Sequence, residues 1–165
     1  MRFHKDVVEF SNLEKGEYTY MDRVDAGPMI IPMTSDDKLI ILREWRYPIQ
    51  DWTYCFPFGG VEGNESFLDA AKRELLEETG NSADTWESLG EITIDPGANS
   101  QITPVFLARG LHKDSAFENT DKHEIQEVHI LSLEEIQQKI AADEIKNGWL
   151  LAGLTKLRIH LEKNR

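Results

Sequence analysis

The sequence predicts one α+β domain, a mixed or antiparallel sheet flanked by helices. Three observations carry that expectation: short apolar or alternating runs fill the first third of the chain, one well-punctuated helical segment interrupts them at 66–79, and two more helical segments close it. A regular βαβ series would alternate strands and helices throughout. At 165 residues the chain has the length of one domain, and 40% hydrophobic residues, with seven Phe, four Trp and four Tyr, supply a packed core. No repeat, low-complexity tract or linker divides it, so residues 1–165 read as a single domain.

The elements follow in order. "DVVEF" (6–10) and "EYTYMDRV" (17–24) are partly alternating, β-branched and aromatic runs around the turn-prone "SNLEKG", and predict an opening hairpin or a pair of small strands. "GPMIIPMT" and "KLIILREWRY" are more apolar strands joined by "SDD", and "DWTYCFPF" extends the chain toward a glycine pair. Ser66 to Thr79 is the best-marked helix: Ser66 can cap it, Asp69 stands at the capping-box offset, and Gly80 can end it. Its predicted buried stripe is Phe67, Ala70 or Ala71, and Leu75. "WESLGEITI", "ITPVFLARGL" and "IQEVHILS" read as strands. "SLEEIQQKIAADEI" opens with Ser132 and Glu135 in capping-box register, and "GWLLAGLTKLRIHLEKN" is a last amphipathic helix.

Charge and cysteine content narrow the function. Against 18 Lys+Arg stand 30 Asp+Glu, a formal net charge of -12 that disfavours nucleic-acid polymers and anionic membranes as partners. The one cysteine, Cys55, can form neither an internal disulfide nor a thiolate zinc site, which suits a reducing cytoplasm, and packing in an apolar strand is its expected role. His4, His112, His123, His129 and His160 show no paired zinc spacing. The first twenty residues lack the features of a secretory signal, no apolar run reaches membrane-spanning length, and no P-loop or dinucleotide-fold glycine pattern occurs.

The informative stretch is "FGGVEGNESFLDAAKRELLEETGN", Phe58 to Asn81. Glu74, Glu77 and Glu78 fall on one side of the helix at spacings where like charges repel, and such oxygen-rich clusters suit Mg²⁺ or Mn²⁺. A solvated acidic face is the bland alternative. Arg73 within the cluster, Glu65 just before the cap and the glycine-rich approach weigh against it.

Read from Gly59 to Asn81, the segment resembles the Nudix box, G-x5-E-x7-R-E-U-x-E-E-x-G-U with U apolar, at every fixed position but the last, where Asn81 stands. That departure weakens an expected packing contact after the helix and leaves the acidic positions intact. The resemblance implies a Nudix-like α/β/α sandwich with a mixed sheet and a loop-helix-loop metal site, hydrolysing a nucleoside diphosphate linked to a further group. By position, Glu74 and Glu78 would be the principal metal ligands, Glu77 a further one, and the Phe58 carbonyl could complete the shell. Gly59 and Gly60 would let backbone approach the substrate. Arg73 and Glu65 would pair and orient the carboxylates.

Three features outside the box resemble the ADP-ribose and nucleoside-diphosphate-sugar pyrophosphatase branch. "LREWRYP" places Arg46 where that branch contacts phosphate. Pro96 lies sixteen residues after Gly80, where the branch carries a marker proline. In "HEIQEVHILSLEEI", Glu124 matches the family's catalytic base, with Glu118, Asp121 and Glu127 as neighbours that could serve instead. Phe58 departs from the small residue often found there in the branch, which implies a narrower pocket. Trp45, Tyr47, Trp52 and Tyr18 are candidate stacking residues for which core or dimer packing is the better expectation, Trp45 and Tyr47 facing away from Arg46.

The expected activity is cleavage of the pyrophosphate in ADP-ribose or a related nucleoside diphosphate sugar, giving a nucleoside monophosphate and a sugar phosphate. The expected partner is that small molecule, and the branch's N-terminal strands often cross to a second subunit, so 1–24 is a candidate arm of a homodimer. Dinucleoside polyphosphates, modified nucleoside triphosphates, or binding without cleavage are the alternatives. The sequence leaves open the preferred base and sugar, the number of metal ions and the phosphorus attacked.

Overall fold

A computed structural model of the protein describes residues 2–22, 26–114 and 126–164. Eleven elements follow one another: β1 (Arg2–Glu9), β2 (Lys15–Asp22), β3 (Met29–Pro32), β4 (Leu39–Arg46), β5 (Asp51–Cys55), α1 (Phe67–Thr79), β6 (Asn81–Ile92), β7 (Thr103–Lys113), β8 (Gln126–Leu131), α2 (Leu133–Ala141) and α3 (Gly148–Lys163). β1 and β2 form the predicted hairpin, in register from Arg2↔Asp22 to Glu9↔Lys15. Two three-stranded sheets follow, β3-β7-β6 and β5-β4-β8; β3 pairs with β7 in parallel, and the other pairs are antiparallel.

Strand alternation makes this a three-layer sandwich. Ile31 and Leu107 face the larger core with Leu150 and Leu157 of α3, while Ile30 and Ala108 face Ala71 and Leu75 of α1. The sheet is thus covered on both sides, as its continuous apolar strands anticipate. Burying a side chain such as Leu75 contributes about 1.5–3 kcal/mol.

Both capping predictions hold. Ser66 accepts the Asp69 N–H at 3.1 Å, and Gly80 ends α1 in the left-handed region (φ 66°), donating to Leu76 O at 2.8 Å. The reciprocal box at Ser132 and Glu135 is complete.

The structure corrects two expectations. Phe67 is exposed, because the buried stripe of α1 runs through both alanines, Leu75 and Thr79. Asn81 is not a weakened contact: it is 8% exposed, begins β6, and donates from Nδ2 to Thr79 O at 2.9 Å and Thr79 Oγ1 at 3.0 Å. Hydrogen bonds replace the apolar packing, as burial of an amide requires. β6 also starts five residues before the predicted "WESLGEITI", directly at the helix end.

Candidate functional site

The glycine loop and α1 place the charged residues of the box at one edge of the sandwich. With the alanine face of α1 against the sheet, Arg73 and its acidic neighbours stand on the sides of the helix. Arg73 is their centre. Its Nη2 donates to Glu65 Oε1 at 2.7 Å and Gly60 O at 2.7 Å; its Nη1 donates to Glu74 Oε1 at 2.7 Å and Glu77 Oε2 at 2.9 Å. One planar guanidinium thereby fixes the loop, the residue before the cap and two carboxylates. The predicted Glu65–Arg73 pair is present, and hydrogen bonding to Arg73 holds the Glu65 carboxyl below the usual range, while Glu65 raises the Arg73 guanidinium further.

Glu74 has a different environment. Its side chain is 12% exposed, and burial pushes its carboxyl up, with Arg73 pulling it back down. Gly59 lies flat against it: a Cβ on Gly59 would fall 1.8 Å from Glu74 Cδ. Behind the loop, a Cβ on Gly27 would fall 1.8 Å from Gly59 O, so the loop is set between β3's approach and α1 with no room for either side chain. Glu78 Oε2 accepts the Phe58 N–H at 3.0 Å. Among the described residues no three His, Cys, Asp or Glu side chains are gathered into a metal cage, so the three glutamates do not converge on one point as predicted: Glu74 and Glu77 turn to Arg73, Glu78 to the loop. The donor set nevertheless fits a hard divalent ion, being all oxygen with a part-buried carboxylate against bare backbone.

Beside this cluster lies a cavity of about 470 Å³. Gly59, Gly60, Phe58 and Glu78 form its edge at the box, and Arg46 reaches it from β4. Arg46 pairs with Glu44, which is 3% exposed and also lines the cavity. Cys55 lies beneath; burial and then Glu44 push its thiol up, so it stays protonated, inert packing as predicted.

The hairpin contributes as well. Met21 donates to Ala98 O at 2.8 Å and accepts from Ser100 N at 3.1 Å, the Tyr18 hydroxyl donates to Gly97 O at 2.7 Å, and Ser100 Oγ donates to Asp22 at 2.6 Å. Met21 and the loop residues Asn99 and Gln101 thus join the cavity wall, as do Asn147, which caps α3, and Trp149 in its first turn. Sequence reasoning missed these residues. From sequence "DPGANSQ" points to Pro96 alone, although its amides Asn99 and Gln101 line the cavity; Trp149 reads only as part of an apolar helix.

Glu124, Glu118 and Asp121 lie outside the described residues. Glu127 accepts from Arg43 at 3.1 Å and meets His129 at 3.1 Å, and these hold its carboxyl below the usual range. Of the aromatic candidates, Trp45 and Tyr47 are exposed, which overturns core packing for them; Trp52 packs edge-on to Trp45 and under the Arg43 guanidinium, 4.6 Å from its ring centroid. His112 and His160 meet Asp84 and Glu87, His4 stacks on Tyr20, and none joins a metal cluster among the described residues. No helix among them is long and apolar enough to cross a membrane.

A family model, the NUDIX domain, matches residues 25–151. The chain is 29% identical over 130 residues to the methanol dehydrogenase activator of Bacillus methanolicus, covering 79% of this chain and 70% of that one. It is 28% identical to the ADP-ribose pyrophosphatase of Bacillus subtilis (70% of this chain, 63% of the relative), and 30% identical to the ADP compounds hydrolase NudE of Escherichia coli (66% and 58%). The chain therefore spans less than two thirds of the length of the latter two. A crystal structure of an ADP compounds hydrolase superposes with a TM-score of 0.85 at 24% identity, covering 98% of this chain and 86% of that one, which establishes the shared fold.

Proposed function

The chain belongs to the Nudix family, and from that premise we propose that it is a divalent-metal-dependent hydrolase cleaving the pyrophosphate of ADP-ribose or a related nucleoside diphosphate sugar. The observation that carries the reading is that Arg73 holds Glu65, Glu74, Glu77 and the Gly60 carbonyl together beside a cavity lined by Gly60, Glu78 and Arg46. The names of the Bacillus subtilis and Escherichia coli relatives support the substrate class.

Glu74 and Glu78, with Glu77 and the Phe58 carbonyl, would hold Mg²⁺ or Mn²⁺. When bound, the ion would neutralise charge on the phosphoryl oxygens and favour ionisation of an attacking water. The chain's own parts in the reaction are distinct. Arg46, steadied by Glu44, offers the cavity a fixed positive charge for the diphosphate. Gly59 and Gly60 keep the loop bare so that the substrate can approach backbone. Arg73 holds Glu74 and Glu77 in orientation. Glu124 is the proposed proton acceptor.

Incubation with Mg²⁺ and a panel of diphosphate sugars, dinucleoside polyphosphates and nucleoside triphosphates tests this. The expected products are a nucleoside monophosphate and a sugar phosphate; release of inorganic pyrophosphate from triphosphates, with the sugars untouched, would reject the substrate class. The likeness to a methanol dehydrogenase activator supports a second reading, in which a bound nucleotide sugar serves a partner protein. Calorimetric binding without any metal-dependent product would favour it.

We also propose a homodimer built on the hairpin. Phe3 and Val7 share one face of β1 and are 77% and 74% exposed, a costly display unless another surface covers it. Sedimentation velocity should give the mass of two chains, and the Phe3→Glu/Val7→Glu pair should give that of one. A single-chain mass for the unaltered protein would remove the dimer.

A further inference from the structure

The lining of the cavity carries two chemistries. Arg46, Glu44 and Glu78 are ionic, and Arg46 is the one cation among its described lining residues. Asn99, Gln101 and Asn147 are neutral and share the lining with the rings of Trp149 and Phe58. Each of these amides has one of its two groups engaged. Asn99 Oδ1 accepts from Gln101 N at 3.0 Å, Gln101 Nε2 donates to Thr103 Oγ1 at 3.1 Å, and Asn147 Oδ1 accepts from Trp149 N at 2.9 Å. What remains is two amide donors, an amide acceptor and the indole N–H, bonded to nothing among the described residues and not sealed from solvent.

Trp149 is the fixed part of this neutral set. It stands in the first turn of α3, locked by the Asn147 cap, and its ring centroid is 5.8 Å from that of Phe58 at 43°. The Phe58 N–H in turn contacts Glu78. One residue therefore separates the Trp149 wall from a carboxylate of the box, so a group touching that wall would lie close to the diphosphate proposed above. Neutral amides beside an aromatic face suit a group with hydroxyls and an apolar C–H face, and offer a phosphate nothing.

We propose that Trp149 is a specificity-determining residue, the wall against which the sugar esterified to the diphosphate lies, with Asn99, Gln101 and Asn147 bonding its hydroxyls. The inference rests on the diphosphate-sugar reading above and adds to it the residue that selects the sugar. Phe58 in place of a smaller residue matters here because its ring props the indole and narrows the wall.

Two measurements test it, one of them independent of turnover. In metal-free buffer, ribose 5-phosphate should quench the wild-type tryptophan fluorescence and leave that of Trp149→Phe unchanged. In the kinetic arm, Trp149→Ala should raise KM for diphosphate sugars about tenfold with kcat within a factor of about three, the size expected for one lost aromatic contact made in ground and transition state alike. Trp149→Phe keeps a ring, so it should recover most of the KM and also shows that the fold survives at this position. Equal quenching in wild type and Trp149→Phe, or unchanged KM in Trp149→Ala, overturns the inference while the diphosphate-sugar reading stands. Absence of turnover in the wild type overturns that reading instead, and the fluorescence titration still decides whether a sugar phosphate meets Trp149.

Discussion

Glu78→Gln lowers turnover by roughly 10²–10³-fold or more, the scale seen when one preorganised charge is removed from an active site, and leaves the melting temperature nearly unchanged. The substitution is close to isosteric. A glutamine oxygen can still accept the Phe58 N–H that Glu78 Oε2 accepts at 3.0 Å, so the loop keeps its anchor to α1. What disappears is the negative charge that an ion beside the diphosphate needs. Steady-state rates over a range of Mg²⁺ concentrations check it: the loss should be only partly recovered at high Mg²⁺. Wild-type turnover in the variant would take Glu78 out of the metal site.

Gly59→Ala acts by steric force alone. Its new methyl would sit 1.8 Å from Glu74 Cδ and 1.9 and 2.2 Å from the two carboxylate oxygens, so Glu74 must leave the position in which Arg73 Nη1 holds it at 2.7 Å. The blocking atoms are the mobile end of a side chain, so the shift costs the fold little, while turnover should fall at least as far as in Glu78→Gln. In the double variant Gly59→Ala/Glu74→Ala the methyl has room, and activity should match that of Glu74→Ala alone. Gly97→Ala is the control, since its Cβ would meet nothing nearer than 4.0 Å. A fully active Gly59→Ala protein would show that the loop does not rest on Glu74 as described.

Local rules reached much of this molecule from sequence. The caps at Ser66, Gly80 and Ser132 depend on residues within four positions, and each formed as read. Residues joined by long-range pairing were beyond such rules. The parallel contact of β3 with β7, Ile30↔Phe106 and Ile31↔Leu107, spans more than seventy residues, and it decides which faces α1 and α3 cover. The cavity shows the same limit. Its box edge was legible as a motif, whereas Met21, Asn99, Gln101, Asn147 and Trp149 meet only once the hairpin, the 95–100 loop and α3 are in place.

From sequence, three glutamates at helical spacing call for a cation from outside. In the structure Arg73, itself within the run, already answers Glu74 and Glu77, so their repulsion no longer calls for a metal. The proposed ion is supported instead by an all-oxygen donor set with Gly59 lying against a part-buried Glu74.

That guanidinium has a kinetic consequence. Two of the acids are held by Arg73 without any ion, so a divalent ion bound as proposed would ask for little travel of the chain. The slow event would then be the stripping of its own water shell, and manganese, which sheds water faster than magnesium, should load sooner.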